Sequence, residues 1–121
     1  MSDPIPTEIK LRRRSHLLAV TFDNGCSFEL PFEYLRVHSP SAEVQGHGAG
    51  ESVLVLGKEN IEVRAIEPIG QYAVRLIFDD GHDTGLFTWK YLYQLGTQYE
   101  AKWSAYLARV AQSGHVRQDR Q

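Results

Sequence analysis

His82 lies in the stretch Phe78-Asp79-Asp80-Gly81-His82-Asp83-Thr84-Gly85, where three carboxylates flank one imidazole within five positions. Such a grouping can hold a hard cation through carboxylate oxygens, or pass protons through the imidazole. A plainer reading is local. Aspartates ahead of a glycine accept backbone hydrogen bonds and shape a turn, which accounts for Asp79 and Asp80 and leaves His82 displayed at an exposed tip. Cys26 occupies the matching place in an earlier turn, Asp23-Asn24-Gly25-Cys26. A thiol beside a base is a nucleophile's constellation, but equivalent turns need not touch and no oxyanion-stabilising element is recognisable. A small, half-buried cysteine is the simpler assignment.

Other chemistry-bearing stretches are weaker. Gly46-His47-Gly48-Ala49-Gly50 lacks the Lys-Ser/Thr of a phosphate-cradling loop and does not run from a strand into a helix. Arg12-Arg13-Arg14 suggests a phosphate patch, but a solvated strand face that protects a sheet edge is the stronger reading. The residues best placed to form a binding surface are Arg36, His38 and His47, near or within the 38–52 segment, together with His82 and Asp83 at the acidic turn.

Two hairpins must position these groups. Thr7 to Arg14 alternates apolar and polar residues as a half-buried strand does, Leu17–Phe22 and Cys26–Leu30 read as strands, and Asp23-Asn24-Gly25 supplies the tight turn between them. Pro31 opens a short helix over 32–37, a position where its missing amide costs nothing. The 38–52 segment is rich in glycine and poor in large apolar groups, the texture of a long functional or mobile loop. Val53-Leu54-Val55-Leu56 would anchor its far end.

The second half repeats the pattern. Residues 61–67 alternate as a strand, Pro68-Ile69-Gly70 marks a turn, and Tyr72–Phe78 and Thr84–Phe87 follow as strands around Asp79-Asp80-Gly81. Thr88 is placed to cap a helix over 89–95 that Gly96 ends. Val20 to Cys26 matches Leu76 to His82, and after a one-residue slip Leu30 to Leu35 matches Phe87 to Leu92. Each copy reads strand, acidic-Gly turn, strand, short helix; common hairpin chemistry is the alternative to duplication. The fold class this implies is α+β, antiparallel strands in two ββα-like units with short helices and a longer C-terminal helix. That last helix has Thr97 and Glu100 at capping-box spacing and an apolar stripe of Tyr99, Trp103, Tyr106, Leu107 and Val110, closed by Gly114. The aromatics Phe87, Trp89, Tyr91 and Tyr93 read mostly as core.

The chain has 121 residues, 42% hydrophobic and 23% charged, and a net charge of −2. That suits one domain over 7–113, with an irregular start at 1–6 and a frayed tail over 114–121. The near-neutral charge provides no field to gather nucleic acid or an anionic membrane. No apolar run reaches the ~18 residues of a membrane helix. A single cysteine excludes an internal disulfide framework and suits a reducing cytoplasm.

Leu35-Arg36, the surroundings of Pro40, Ile61 to Gly70 and especially Asp80-Gly81-His82-Asp83-Thr84-Gly85 with Trp89 and Leu92 resemble the gamma-butyrobetaine hydroxylase-like N-terminal domain family over residues 7–96. In full-length hydroxylases this domain precedes a catalytic iron and 2-oxoglutarate domain, so the resemblance implies a non-catalytic module and no oxygenase chemistry. Stand-alone members have no assigned activity, and similar domains occur fused to Mrp-type ATPases of iron–sulfur handling. The hydroxylase domain holds a structural zinc through three cysteines and a histidine. Here His82 matches that histidine, while Ser39, Ser41 and Val44 stand at the cysteine positions and are poor ligands. The expectation is a non-enzymatic accessory or interaction module with an unidentified protein partner and no cofactor. A metal-binding or iron–sulfur-handling accessory domain, with zinc or iron held by some regrouping of Cys26, His38, His47 and His82, is the alternative.

Overall fold

The computed structural model describes residues 3–41 and 53–118. The first half runs β1 (Pro6–Arg12), β2 (Leu17–Phe22), β3 (Ser27–Pro31) and α1 (Phe32–Val37). The second runs β4 (Val63–Ile69), β5 (Ala73–Phe78), β6 (Leu86–Thr88), α2 (Trp89–Thr97) and α3 (Tyr99–Ser113). The strands form two three-stranded antiparallel sheets, ordered β1-β2-β3 and β4-β5-β6. This is the α+β arrangement expected from the hairpin pattern.

The two units match bond for bond. Gly25 and Gly81 both take φ +89°, a conformation that side chains with a Cβ rarely adopt. Phe22 N donates to Cys26 O at 2.8 Å, and Phe78 N to His82 O at 3.0 Å. Asn24 Oδ1 accepts from Cys26 N at 3.0 Å as Asp80 Oδ1 does from His82 N at 3.1 Å. Asp23 and Asp79 each tie the turn to the preceding edge segment through a backbone and a side-chain bond, to Ile5 and Glu62 respectively. Even the bulges correspond, at Pro6/Glu8 in β1 and Val63/Ala65 in β4. Agreement at this level favours repetition of a whole unit over two hairpins that share common turn chemistry.

Alternation along the central strands builds the core. Leu18, Val20 and Phe22 from β2 and Val74, Leu76 and Phe78 from β5 are buried, and they pack with Phe32, Tyr34 and Leu35 of α1 and with Phe87, Leu92 and Leu95. Tyr34 is fully buried, and its hydroxyl donates to Leu95 O at 2.7 Å. A second cluster of Val37, Tyr106 and Val110, flanked by Leu54, Val55, Trp103 and Leu107, fixes α3. The 53–56 run therefore anchors as expected, with Tyr106 Oη donating to Val55 O at 2.7 Å.

Several local expectations change. Pro68 lies inside β4 opposite Val74, and the turn falls after Ile69. β4 is an edge strand, where a missing N–H breaks no ladder bond. Gly96 does not end α2, which continues to Thr97. Its missing side chain makes room for the Phe28 ring, since a Cβ would sit 2.3 Å from Phe28 Cγ. Thr97 and Glu100 form no capping box: Gln98 is the N-cap of α3 with no side-chain cap bond, and Thr97 Oγ1 donates to Gln94 O at 3.3 Å. Thr88 does cap α2, accepting from Tyr91 N at 3.1 Å, and Gly114 closes α3 at φ +84°. Arg13, read as part of a solvated face, reaches across to donate to Val63 O at 2.9 Å and Arg64 O at 2.8 Å. It joins the two units. Residues 115–118 fold back, with Arg117 forked onto both oxygens of Glu33 and its guanidinium 5.4 Å above the Trp103 ring.

Candidate functional site

The β5–β6 turn brings His82 against the end of α1, and the imidazole is 6% exposed rather than displayed. Its Nε2 lies 2.9 Å from Ser39 Oγ, and Ser39 is itself fully buried. Gly85 is what allows this approach, because a Cβ there would fall 2.2 Å from Ser39 Oγ. Ser41 Oγ meets Thr84 Oγ1 at 2.7 Å. The turn and the segment after α1 are thus seamed together by hydroxyls and one imidazole.

Arg36 is spent on the same seam. Its Nε donates to Asp80 Oδ2 at 2.9 Å, and Lys58 Nζ reaches the same oxygen at 2.6 Å. Burial would raise the Asp80 pKa, but the hydrogen bonds from Lys58, the His82 amide and Arg36 outweigh it and bring the carboxyl down to about 2. The other two aspartates point to different work: Asp79 caps the Glu62 amide, and half-buried Asp83 contributes its charge at Arg75. The acidic trio therefore does not converge. Cys26 stays with its own turn, its Sγ 3.5 Å from Tyr93 Oη. His47 and Val44 lie outside the described residues.

His38, at the C-cap of α1, stands apart from this seam and faces α3. Its Nδ1 is 3.0 Å from Tyr34 O, and its ring meets those of Tyr34 at 4.7 Å and Tyr106 at 6.2 Å. Burial holds the imidazole below its ordinary pKa; the Tyr34 carbonyl pulls it up, and the charges of Lys102 and Arg109 push it further down. A cavity of about 210 Å3 opens here between α1 and α3. A wider apolar hollow of about 420 Å3 lies elsewhere, between the N-terminal residues and the start of α2, walled by Ile5, Tyr72 and Trp89. Sequence reasoning named His38 but neither Lys102 nor Arg109. Their only signal is a seven-residue spacing, two turns along one face of α3.

The family model described as gamma-butyrobetaine hydroxylase-like, N-terminal, matches residues 9–93. The chain belongs to this family. Two structures solved in solution by NMR are each 49% identical to it and cover 99% of it. They superpose with TM-scores of 0.84 and 0.83, over 89% and 94% of their own chains. A crystal structure of a DUF971-family protein of unknown function from Acidithiobacillus ferrooxidans ATCC 23270 is 41% identical, with a TM-score of 0.67 over 78% of this chain and 98% of that one. No curated protein matches. Among the described residues, no helix is long and apolar enough to cross a membrane.

Zinc, which the hydroxylase members of the gamma-butyrobetaine hydroxylase-like N-terminal family imply, does not fit the residues present. The matching positions bring together Ser39, Ser41 and His82, two neutral hydroxyls and one imidazole, where zinc requires thiolates or several imidazoles. The Ser39–His82 hydrogen bond joins directly what a metal would bridge. Among the described residues no three His, Cys, Asp or Glu side chains gather as a ligand set.

Proposed function

We propose that this chain is a non-enzymatic interaction module whose partner-facing surface is the edge where the end of α1 meets α3. The observation that carries the reading is the cavity beside His38, walled by Lys102 and Arg109. The groups with the most catalytic promise support it from the other side. His82 is buried on Ser39, and Arg36 is paired with Asp80, so both serve as seams rather than as accessible acid, base or oxyanion donor. Lys102 on the wall of that cavity suits a partner that presents acidic residues there, while the chain as a whole carries −2 and gathers no polyanion at long range.

Charge reversal on that edge tests the reading. Lys102→Glu should abolish stoichiometric co-purification of a partner from the native cell, while Lys10→Glu on β1 leaves it intact. Equal capture by both variants would reject the assignment of this surface.

A further inference from the structure

The segment that follows α3 is held by charge and hydrogen bonds rather than by apolar burial. Gly114 leaves the helix at φ +84°. Val116, the one large apolar side chain of residues 115–118, stays 75% exposed. Arg117 supplies the hold instead. Its guanidinium forks onto both oxygens of Glu33, with Nε 3.0 Å from Oε2, and lies 5.4 Å from the centre of the Trp103 ring. Beside it, Gln118 N donates to Glu59 Oε2 at 2.6 Å, and His115 Nε2 stands 3.6 Å from the same oxygen.

The receiving side calls for a cation. Glu33 and Glu59 are 7% and 5% exposed, and a buried carboxylate stripped of its partner is strongly destabilising. Among the described residues, Arg117 is the one cation that pairs with Glu33. Burial works against the charge of Glu59, while the Gln118 amide, its own amide and His115 hold its pKa below the ordinary value. Trp103 is braced by stacking on Tyr99 at 6.4 Å and Tyr106 at 5.2 Å, and it meets Tyr34 edge-on. Carboxylate fork, aromatic face and amide acceptor together read an arginine on an extended backbone. A lysine ammonium matches neither the fork nor the planar face.

We propose that Glu33, Trp103 and Glu59 form a receptor for one arginine of an extended peptide. The chain's own 115–118 segment occupies it at rest, and an arginine-bearing segment of a partner protein takes its place. These side chains are not those of the cavity beside His38, so the receptor does not depend on the surface assigned above. Two observations favour exchange over a permanent latch. With Val116 outside, little apolar burial retains the segment. The two buried carboxylates also require that whatever displaces Arg117 bring an equivalent cation. The short connection to α3 keeps Arg117 at an effective concentration on the order of mM, so an incoming peptide binds in competition with it.

The experiment is an NMR titration of the full chain with the capped peptides acetyl-Val-Arg-Gln-amide and acetyl-Val-Lys-Gln-amide, at constant ionic strength. In the Arg117→Ala chain, its fold checked by thermal unfolding, the arginine peptide should give saturable shifts at Glu33, Glu59 and Trp103. The lysine peptide should bind about tenfold more weakly, the usual worth of one charge-assisted hydrogen bond. Adding Glu33→Gln should abolish binding, and adding Glu8→Gln on β1 should leave it unchanged. The native chain should bind the arginine peptide about tenfold more weakly than Arg117→Ala does, because its own segment must first leave. The Arg117 Nε resonance should move to its free position as the native chain saturates, a readout that serves even if Arg117→Ala does not fold. Equal binding of the two peptides, or no saturable shifts in a folded Arg117→Ala chain, would overturn the receptor. An Arg117 signal that stays in place at saturating peptide would overturn exchange and leave the segment a fixed latch.

Discussion

Gly96→Ala separates two effects of opposite sign. In an isolated helix the substitution would stabilise by about 1 kcal/mol, since alanine loses less backbone entropy and shields the helix better than glycine. In this fold the added methyl would fall 2.3 Å from Phe28 Cγ and 2.4 Å from Cδ2. The ring has little freedom to withdraw, because it is braced edge-on by Phe22 at 5.9 Å and Tyr93 at 5.6 Å. Overpacking of this kind costs roughly 1–3 kcal/mol, and with the helix gain subtracted the net loss is about 1 kcal/mol. Urea unfolding followed by tryptophan fluorescence measures it, and the melting temperature should drop by about 3–6 °C. Phe28→Ala removes the obstructing ring, so in that background Gly96→Ala should become neutral or stabilising. Stabilisation by Gly96→Ala in the otherwise native chain would refute the packing argument and restore Gly96 as a mere helix stop.

Asp80→Asn should cost roughly 1–2 kcal/mol at neutral pH, allowing for solvent screening. Asp80 has its folded pKa depressed to about 2, so its contribution is present above the unfolded carboxylate pKa and disappears as pH falls toward 2. Unfolding curves of the native and Asp80→Asn chains should therefore converge in acid; a constant gap would mean the charge is not responsible. Trp103 is half-buried, stacks on Tyr106 at 5.2 Å and touches both apolar clusters. Trp103→Ala should cost about 2–3 kcal/mol, below the range for a fully buried tryptophan, and a loss under ~1 kcal/mol would show that the α3 stripe is not seated. A double-mutant cycle on Glu33→Gln and Arg117→Ala should return a coupling of about 1–2 kcal/mol, as befits a forked pair with one buried partner. Additivity would mean that the C-terminal segment contributes nothing through this contact.

What the sequence revealed was local. The acidic-glycine turns, the apolar alternation of the central strands, the Thr88 cap and the α3 stripe depend on residues within a few positions of one another, and each can be read there. Misreadings arose where a distant residue decides the outcome. Gly96 looks like a stop until Phe28, far away in sequence, is seen against it. His82 looks exposed on its turn until the fold delivers Ser39 to its ring. Thr97 and Glu100 have capping-box spacing, but α2 runs on through Thr97 and turns that hydroxyl back to Gln94. Arg13 reads as part of a solvated strand face, Arg36 as a binding residue and Arg117 as part of a frayed tail, yet each bridges segments far apart in the chain. The candidate cavity was half legible: His38 was nameable at the end of a predicted helix, while Lys102 and Arg109 were indistinguishable from any solvated helix face.

Site-specific photo-crosslinking in the native cell tests the central claim most directly. A photoreactive residue in place of Ala105, beside the cavity, should yield one dominant adduct with an acidic protein. The same residue in place of Ala19, on the outer face of the β1-β2-β3 sheet, should yield none. Identical adducts from both positions, or none from Ala105 in a chain that folds normally, would contradict the assignment of the α1–α3 edge as the partner-facing surface.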